Sequence, residues 1–203
     1  MLTELHLLYT HDLVRDWARL PRLYSALQHI EQQQGIKALR LNLGTACEPT
    51  IWHCEATQGR SMPMAFDVMG YHAVDVTGMP EASRFKLKGV VTLGLVDARH
   101  TWRYNVAGVS DETVVVASEP TPAMRLCIVL HPSDETHLTD GILFLKPAPP
   151  HHAGYAHIDL TAQPRLVHTT VLPLDTHARP DPTITAALEL IEEEARFFRP
   201  RES

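Results

Sequence analysis

The residues with the widest chemical range in this chain of 203 are its thirteen histidines and three cysteines. Cys47, His53, Cys54 and Glu55 stand close together. Soft thiolates and an imidazole suit zinc. However, the Cys-x5-His-Cys spacing matches no standard zinc motif, and the adjacent His53 and Cys54 chelate one ion awkwardly. The plainer reading is buried or incidental side chains. His151, His152 and His157 have no carboxylate or thiol at a useful spacing and read as surface histidines. Asp134, Glu135, His137 and Asp140 follow His131 and offer oxygen ligands or a general base, but a solvated loop is the simpler account. Ser61 and Ser133 lack the glycines of a nucleophile elbow. Neither a Gly-x-x-x-x-Gly-Lys phosphate loop nor a Gly-x-Gly-x-x-Gly dinucleotide turn is present.

Positioning such groups needs a scaffold, and the length and composition provide for one. With 44% hydrophobic and 21% charged residues, the chain can bury one substantial core, so a single domain over residues 1–203 is expected. A net charge of -6 with no Lys/Arg run supplies no basic field for the polyphosphate backbone of a nucleic acid, and nucleic acid is not an expected partner. No apolar run approaches the ~20 residues of a membrane span, and the first residues show no leader pattern. A soluble, cytoplasmic protein without a membrane partner is expected. Three cysteines, an odd number, argue against a disulfide framework, and reduced thiols are expected.

Short apolar runs predict strands at Glu4 to Thr10, Lys37 to Leu43 and His72 to Val76. Between the first two, Leu20, Leu23, Tyr24, Leu27 and Ile30 recur at helical spacing, with Pro21 suited to the first turn and Gly35 to the stop. Met62 to Met69 predicts a second, short helix. This alternation implies a parallel sheet covered by helices. Gly89 to Val96, Trp102 to Val109, Thr113 to Ala117 and Arg125 to Leu130 predict strands with connections too short for good helices, hence antiparallel or mixed pairing. Ile142 to Leu145, Tyr155 to Leu160 and Leu166 to Leu172 continue the β-rich part, with Lys146 to Pro150 as a loop. A closing helix over Thr183 to Phe198 puts Ile184, Ala187, Leu188, Ile191, Ala195 and Phe198 on one face.

Several of these stretches carry a likeness. Leu7-Leu8-Tyr9-Thr10-His11-Asp12-Leu13-Val14 closes the first strand, Leu43-Gly44-Thr45 closes the second, and Gln58-Gly59 follows. Phe66 to Glu81 reads as a helix, a Gly-Tyr-His-Ala strand and a Gly-Met-Pro-Glu turn. Cys127 to His131 ends another strand in a histidine. In this order the segments resemble the calcineurin-like metallophosphoesterases, in their 5′-nucleotidase branch. The resemblance implies an α/β fold, a four-layer α/β/β/α sandwich of mixed sheets, shortened in its middle and without a C-terminal substrate domain.

The same resemblance assigns the family's metal-site positions to Asp12, Val14, Thr45, Met79, Pro80, His131 and the Pro147-Ala148 turn. Asp12 and His131 match. Val14 stands for a metal-binding histidine, Thr45 for the bridging aspartate, Met79-Pro80 for an Asn-His pair and Pro147-Ala148 for the last ligand pair. A two-metal phosphoesterase holds its ions about 3.5–4 Å apart with a bridging carboxylate and further donors, and these replacements cannot supply them. The implied reading is a catalytically degenerate relative, leaning towards no enzyme activity and no cofactor, with Asp12, Thr45, Met79, Pro80 and His131 as a vestigial pocket. It would act as a binding or regulatory module for a small phosphate-containing ligand, a protein partner or a second copy of the chain. The alternative is a phosphoric-ester hydrolase with a rebuilt Mn, Zn or other divalent-cation site using Asp12, His131, His11, Cys47, His53 and Cys54. Asp12 as a turn cap and His131 as a plain strand-end histidine stand equally beside both readings.

Overall fold

The protein is described by a computed structural model covering residues 4–13, 15–106, 113–122 and 125–198. Val14 lies outside the described residues, as does the end of the strand expected over Trp102 to Val109.

The first half is built from parallel β-α units. Strand β1 (Glu4–His11) leads through a turn of 3-10 helix to α1 (Leu20–Gln34) and then to β2 (Leu39–Thr45). Pro21 sits in the first turn of α1, and Gly35 stops it at φ 63°, a left-handed conformation in which glycine has no Cβ penalty. Two short helices, α2 (Trp52–Ala56) and α3 (Ser61–Val68), precede β3 (Ala73–Asp75), and α4 (Glu81–Lys88) leads to β4 (Gly94–Val96). Of these, α2 and α4 are absent from the pattern read in the sequence. In α4 only Ser83 and Leu87 are buried, too few to mark a helical stripe. The strand expected from Gly89 accordingly begins only at Gly94.

Strands β5 (Trp102–Asn105), β6 (Thr113–Ala117), β7 (Leu126–Val129), β8 (His137–Thr139) and β9 (Ile142–Phe144) follow, then the long β10 (His152–Asp159) and β11 (Arg165–Pro173), and finally α5 (Pro182–Phe198). The Asp181 carboxylate accepts the Thr183 and Ile184 N–H groups at 2.9 and 3.0 Å, capping α5. The segment expected to be only a solvated loop after His131 contains β8, with His137 stacked on Phe144 at 4.8 Å. Three residues in a polar stretch carry too little periodicity to announce a strand.

Two mixed sheets result, ordered β11-β10-β1-β2-β3-β4 and β5-β6-β7-β9-β8. Crossovers between parallel neighbours are right-handed as a rule, which places the helices of β1 to β4 on one face. There Leu27, Ile30, Phe66, Met69, Leu188 and Ile191 pack with Leu8 and Val74. The opposite face presents Leu7, Tyr9, Leu41 and Leu43 to Val116, Leu126, Ile128 and Leu143 of the second sheet. Because β1 and β2 are covered on both faces, they read as continuous apolar runs. Each such side chain contributes roughly 1.5–3 kcal/mol on burial.

The fold is thus the expected α/β sandwich, and its shortening falls on the outermost layer. Between β5 and β11 no helix occurs among the described residues. Cys127 and Val129 pack with Ile142 and Phe144 on the face of the second sheet turned away from the first, and Cys127 and Val129 are buried there. The two sheets are tied at both ends. The Gly44 N–H donates to the Leu130 carbonyl at 2.8 Å, and Arg125 donates to the Leu160 carbonyl and, at 2.8 Å, to that of Ala162.

Candidate functional site

Parallel strands deliver their following residues to one rim, the carboxyl ends of β1, β2, β3 and β7, where ligands bind in open α/β sheets. Asp12 follows β1 directly; it is exposed and left-handed at φ 54°, a conformation that Asp tolerates better than most residues. Thr45 ends β2, exposed, in register with Asp75. His131 follows β7 and is exposed, its N–H donating to the Ser118 carbonyl at 3.3 Å.

Gly44 marks where these strand ends meet. A Cβ there would lie 3.7 Å from the His11 ring and 3.8 Å from Pro132. His11, Gly44 and Pro132 therefore adjoin, next in sequence to Asp12, Thr45 and His131. Beneath them Thr10, Asn42 and Tyr71 form a buried network. The Thr10 hydroxyl donates to Asn42 Oδ1 at 3.3 Å and meets the Tyr71 hydroxyl at 2.8 Å. Burial pushes the Tyr71 pKa up to about 12, against smaller opposing effects of Thr10 and Arg40.

Met79 and Pro80 take other roles. Met79 is half-buried against the helical core, and a Cβ on Gly59 would lie 3.3 Å from its Cε. Pro80 precedes α4 as its N-terminal flanking residue. Asp75, which the sequence reading passed over, is a buried carboxylate at the end of β3; its Oδ1 accepts the Thr77 N–H at 2.7 Å.

Beside this rim opens a cavity of about 800 Å³. Its wall joins Asp12 to Arg15, Arg19 and Arg22 on one side and to His151 and His177 on the other. His11 and Ala148 also line it, whereas Thr45, Met79, Pro80 and His131 do not. Arg15 pairs with Glu48 at 2.7 Å, and Arg19 lies 3.9 Å from Asp16 and 3.5 Å from the His151 ring. The sequence held no signal for this gathering, since the arginines and the histidines lie more than a hundred residues apart and share no spacing.

The expectation of reduced thiols is overturned for two of the three cysteines. Cys47 and Cys54 form a disulfide, their Cα atoms 5.7 Å apart. An odd count argues only against complete pairing; these two cysteines lie seven residues apart, Cys47 just after β2 and Cys54 in α2, while Cys127 is buried in β7. The zinc reading of Cys47, His53 and Cys54 changes with it, because bonded sulfurs are not thiolates. His53 is buried, with Nδ1 2.8 Å from the Ser61 hydroxyl and its ring 4.6 Å from that of Trp17.

The pair of cations implied by the family resemblance is poorly served at this rim. Thr45 offers a weak neutral hydroxyl, Met79 a thioether turned towards Gly59, and Pro80 and Pro147-Ala148 no side-chain donor. Among the described residues, two groups of three or more His, Cys, Asp or Glu bring donor atoms within 4.8 Å of one another: Cys47, His53 and Cys54, and Glu4, His6 and His157. Neither contains Asp12 or His131. The described residues at this rim do not fit a dinuclear centre.

No family model matches the chain, and no curated protein matches it. Among solved structures, an NAD nucleotidase (NadN) of Haemophilus influenzae superposes with a TM-score of 0.52 at 10% sequence identity, over 95% of this chain and 56% of that one. This chain therefore spans little more than half the length of that protein. At such identity the likeness is one of fold, and it shows a metallophosphoesterase-like α/β sandwich.

Proposed function

We propose that this protein is a catalytically degenerate metallophosphoesterase/5′-nucleotidase-like chain that serves as a binding or regulatory module, taking a small phosphate-containing ligand in the cavity beside Asp12. The first part is supported by the chemistry of Thr45, Met79 and Pro80: the family resemblance aligns them with a bridging aspartate and an Asn-His pair, and they offer neither the carboxylate nor the imidazole that a two-metal hydrolase needs. The second part rests on Arg15, Arg19 and Arg22 lining one cavity, because a guanidinium matches phosphate oxygens with paired donors. Nucleotides are the first ligands to try, given the NAD nucleotidase among the fold's neighbours.

The test is a hydrolysis assay with aryl phosphate, phosphodiester and nucleotide substrates after loading with Mn²⁺ or Zn²⁺, paired with nucleotide-binding calorimetry. The expected result is no metal-dependent turnover, and binding weakened at least tenfold in Arg19→Ala. Turnover abolished by Asp12→Ala would overturn the reading in favour of a hydrolase rebuilt around Asp12 and His131.

A further inference from the structure

The other group of clustered donors lies far from the rim, at the opposite end of β1. Glu4 and His6 alternate along that strand and so share a face, and His157 is directly across from His6 on β10. The next strand continues the row, since His168 of β11 is the register partner of His157. The face is the one that Leu8 and Tyr155 present to the helical core.

The ring nitrogens are arranged for a shared partner. Tyr155 Oη lies 2.8 Å from His6 Nδ1. A hydroxyl bonded at Nδ1 leaves Nε2 to act as the donor to a cation, and this outer hydrogen bond is how metal-binding imidazoles are oriented. His6 Nε2 faces Glu4 Oε2 at 3.7 Å, and His157 Nε2 faces the same oxygen at 3.5 Å. His157 Nε2 is buried and makes no hydrogen bond among the described residues. A polar atom so placed calls for an explanation.

Tetrahedral geometry provides one. With bonds of about 2.0–2.1 Å to nitrogen or carboxylate oxygen, the edges of a zinc tetrahedron are roughly 3.4 Å, close to both nitrogen–oxygen separations. Both Nε2 atoms lie within 3.7 Å of one Glu4 oxygen; the rings stack at 4.7 Å with an interplanar angle of 19°, and rotation of each ring about its Cβ–Cγ bond would aim both in-plane lone pairs at a single ion. We propose that Glu4, His6 and His157 form a binding site for one divalent cation of the zinc class, with Tyr155 as the positioning residue for His6. Water or His168 would fill the fourth position. The site is separate from the Asp12 cavity, so its existence does not depend on the function proposed above.

Zinc itself is the probe, titrated into the full chain under non-reducing conditions so that the Cys47–Cys54 disulfide keeps those sulfurs from competing. Calorimetry should show one tight equivalent, and histidine-detected NMR of the unaltered protein should show the His6 and His157 ring nitrogens moving together as it fills. His157→Gln and Glu4→Gln should each weaken that equivalent at least tenfold. Tyr155→Phe, which keeps all three donors, should weaken it roughly 10- to 100-fold. His131→Gln should leave it unchanged. Tight binding that survives both His157→Gln and Glu4→Gln, or ring signals of His6 and His157 that do not respond to zinc, would overturn the site. The NMR readout decides even where a variant fails to fold.

Discussion

The Tyr9 ring lies directly over Gly154, its opposite partner across β1 and β10. Any Cβ on Gly154 would overlap the ring, which is buried between the two sheets. Gly154→Ala should therefore destabilise the fold by about 2–3 kcal/mol, as overpacking does. Chemical denaturation measures this, and Tyr9→Leu in the same chain should recover part of the loss. Equal stability of Gly154→Ala and the parent would show that the ring can move aside.

Arg40 offers a second target. Buried in β2, it bonds Glu31 Oε2 of α1 at 2.6 Å and the Met69 carbonyl at 2.9 Å. Removing one partner leaves the other charge buried and unpaired, at a cost of about 3–5 kcal/mol. Glu31→Gln is expected to lower the urea midpoint sharply, while a surface pair such as Arg196–Glu192, broken by Glu192→Gln, should change it by less than about 1 kcal/mol.

Reducing the Cys47–Cys54 disulfide releases a short closed segment. The chain-entropy argument for a loop of this length gives a loss of about 2 kcal/mol. Melting with and without a thiol reductant should differ accordingly, and Cys47→Ser should abolish the difference. A reductant effect that persists in Cys47→Ser would place its origin elsewhere.

The pH dependence should report on His72. Burial first, and the Arg40 guanidinium second, hold its pKa below the ordinary 6.5. Its Nδ1 also accepts the Arg40 N–H at 3.0 Å, a bond that protonation there would break. Between the folded and unfolded values the unfolded chain binds more protons, so stability rises with pH. The contribution is complete above about pH 6.5 and is lost as the pH falls below it. His6 is displaced in the same direction, by burial and then by His157. Urea midpoints should fall from pH 7 towards pH 5, less steeply in His72→Gln and less again when His6 is also replaced.

How much of this was legible beforehand differs between fold and site. Strands β1 and β2 could be read because both of their faces are covered, and α1 because Leu20, Leu27 and Ile30 mark its buried side, with Pro21 in its first turn and Gly35 at its end. Helix α4 could not, since Glu81 to Lys88 buries one serine and one leucine. At the rim, Asp12 and His131 follow β1 and β7, and Thr45 ends β2. The cavity beside Asp12 was invisible because Arg19 and His151 lie 132 residues apart and approach one another only in the folded chain. Glu4 and His6 carry a strand's alternation, but their pairing with His157 depends on a register that no local pattern contains. The disulfide was missed because counting cysteines says nothing about which two are neighbours.

The two ties between the sheets, Gly44 to Leu130 at one end and Arg125 to Leu160 and Ala162 at the other, have a mechanical consequence. An apolar interface alone resists separation far better than it resists sliding. Polar anchors at opposite ends fix the offset, so the sandwich should respond to a ligand as a rigid block rather than as a pair of plates that shear or gape. Any adjustment on binding would then fall to the segments around the block, chiefly the turns bearing Arg15 and His177. Amide hydrogen exchange should find the Gly44 N–H among the slowest in the chain, although it sits next to the exposed Thr45.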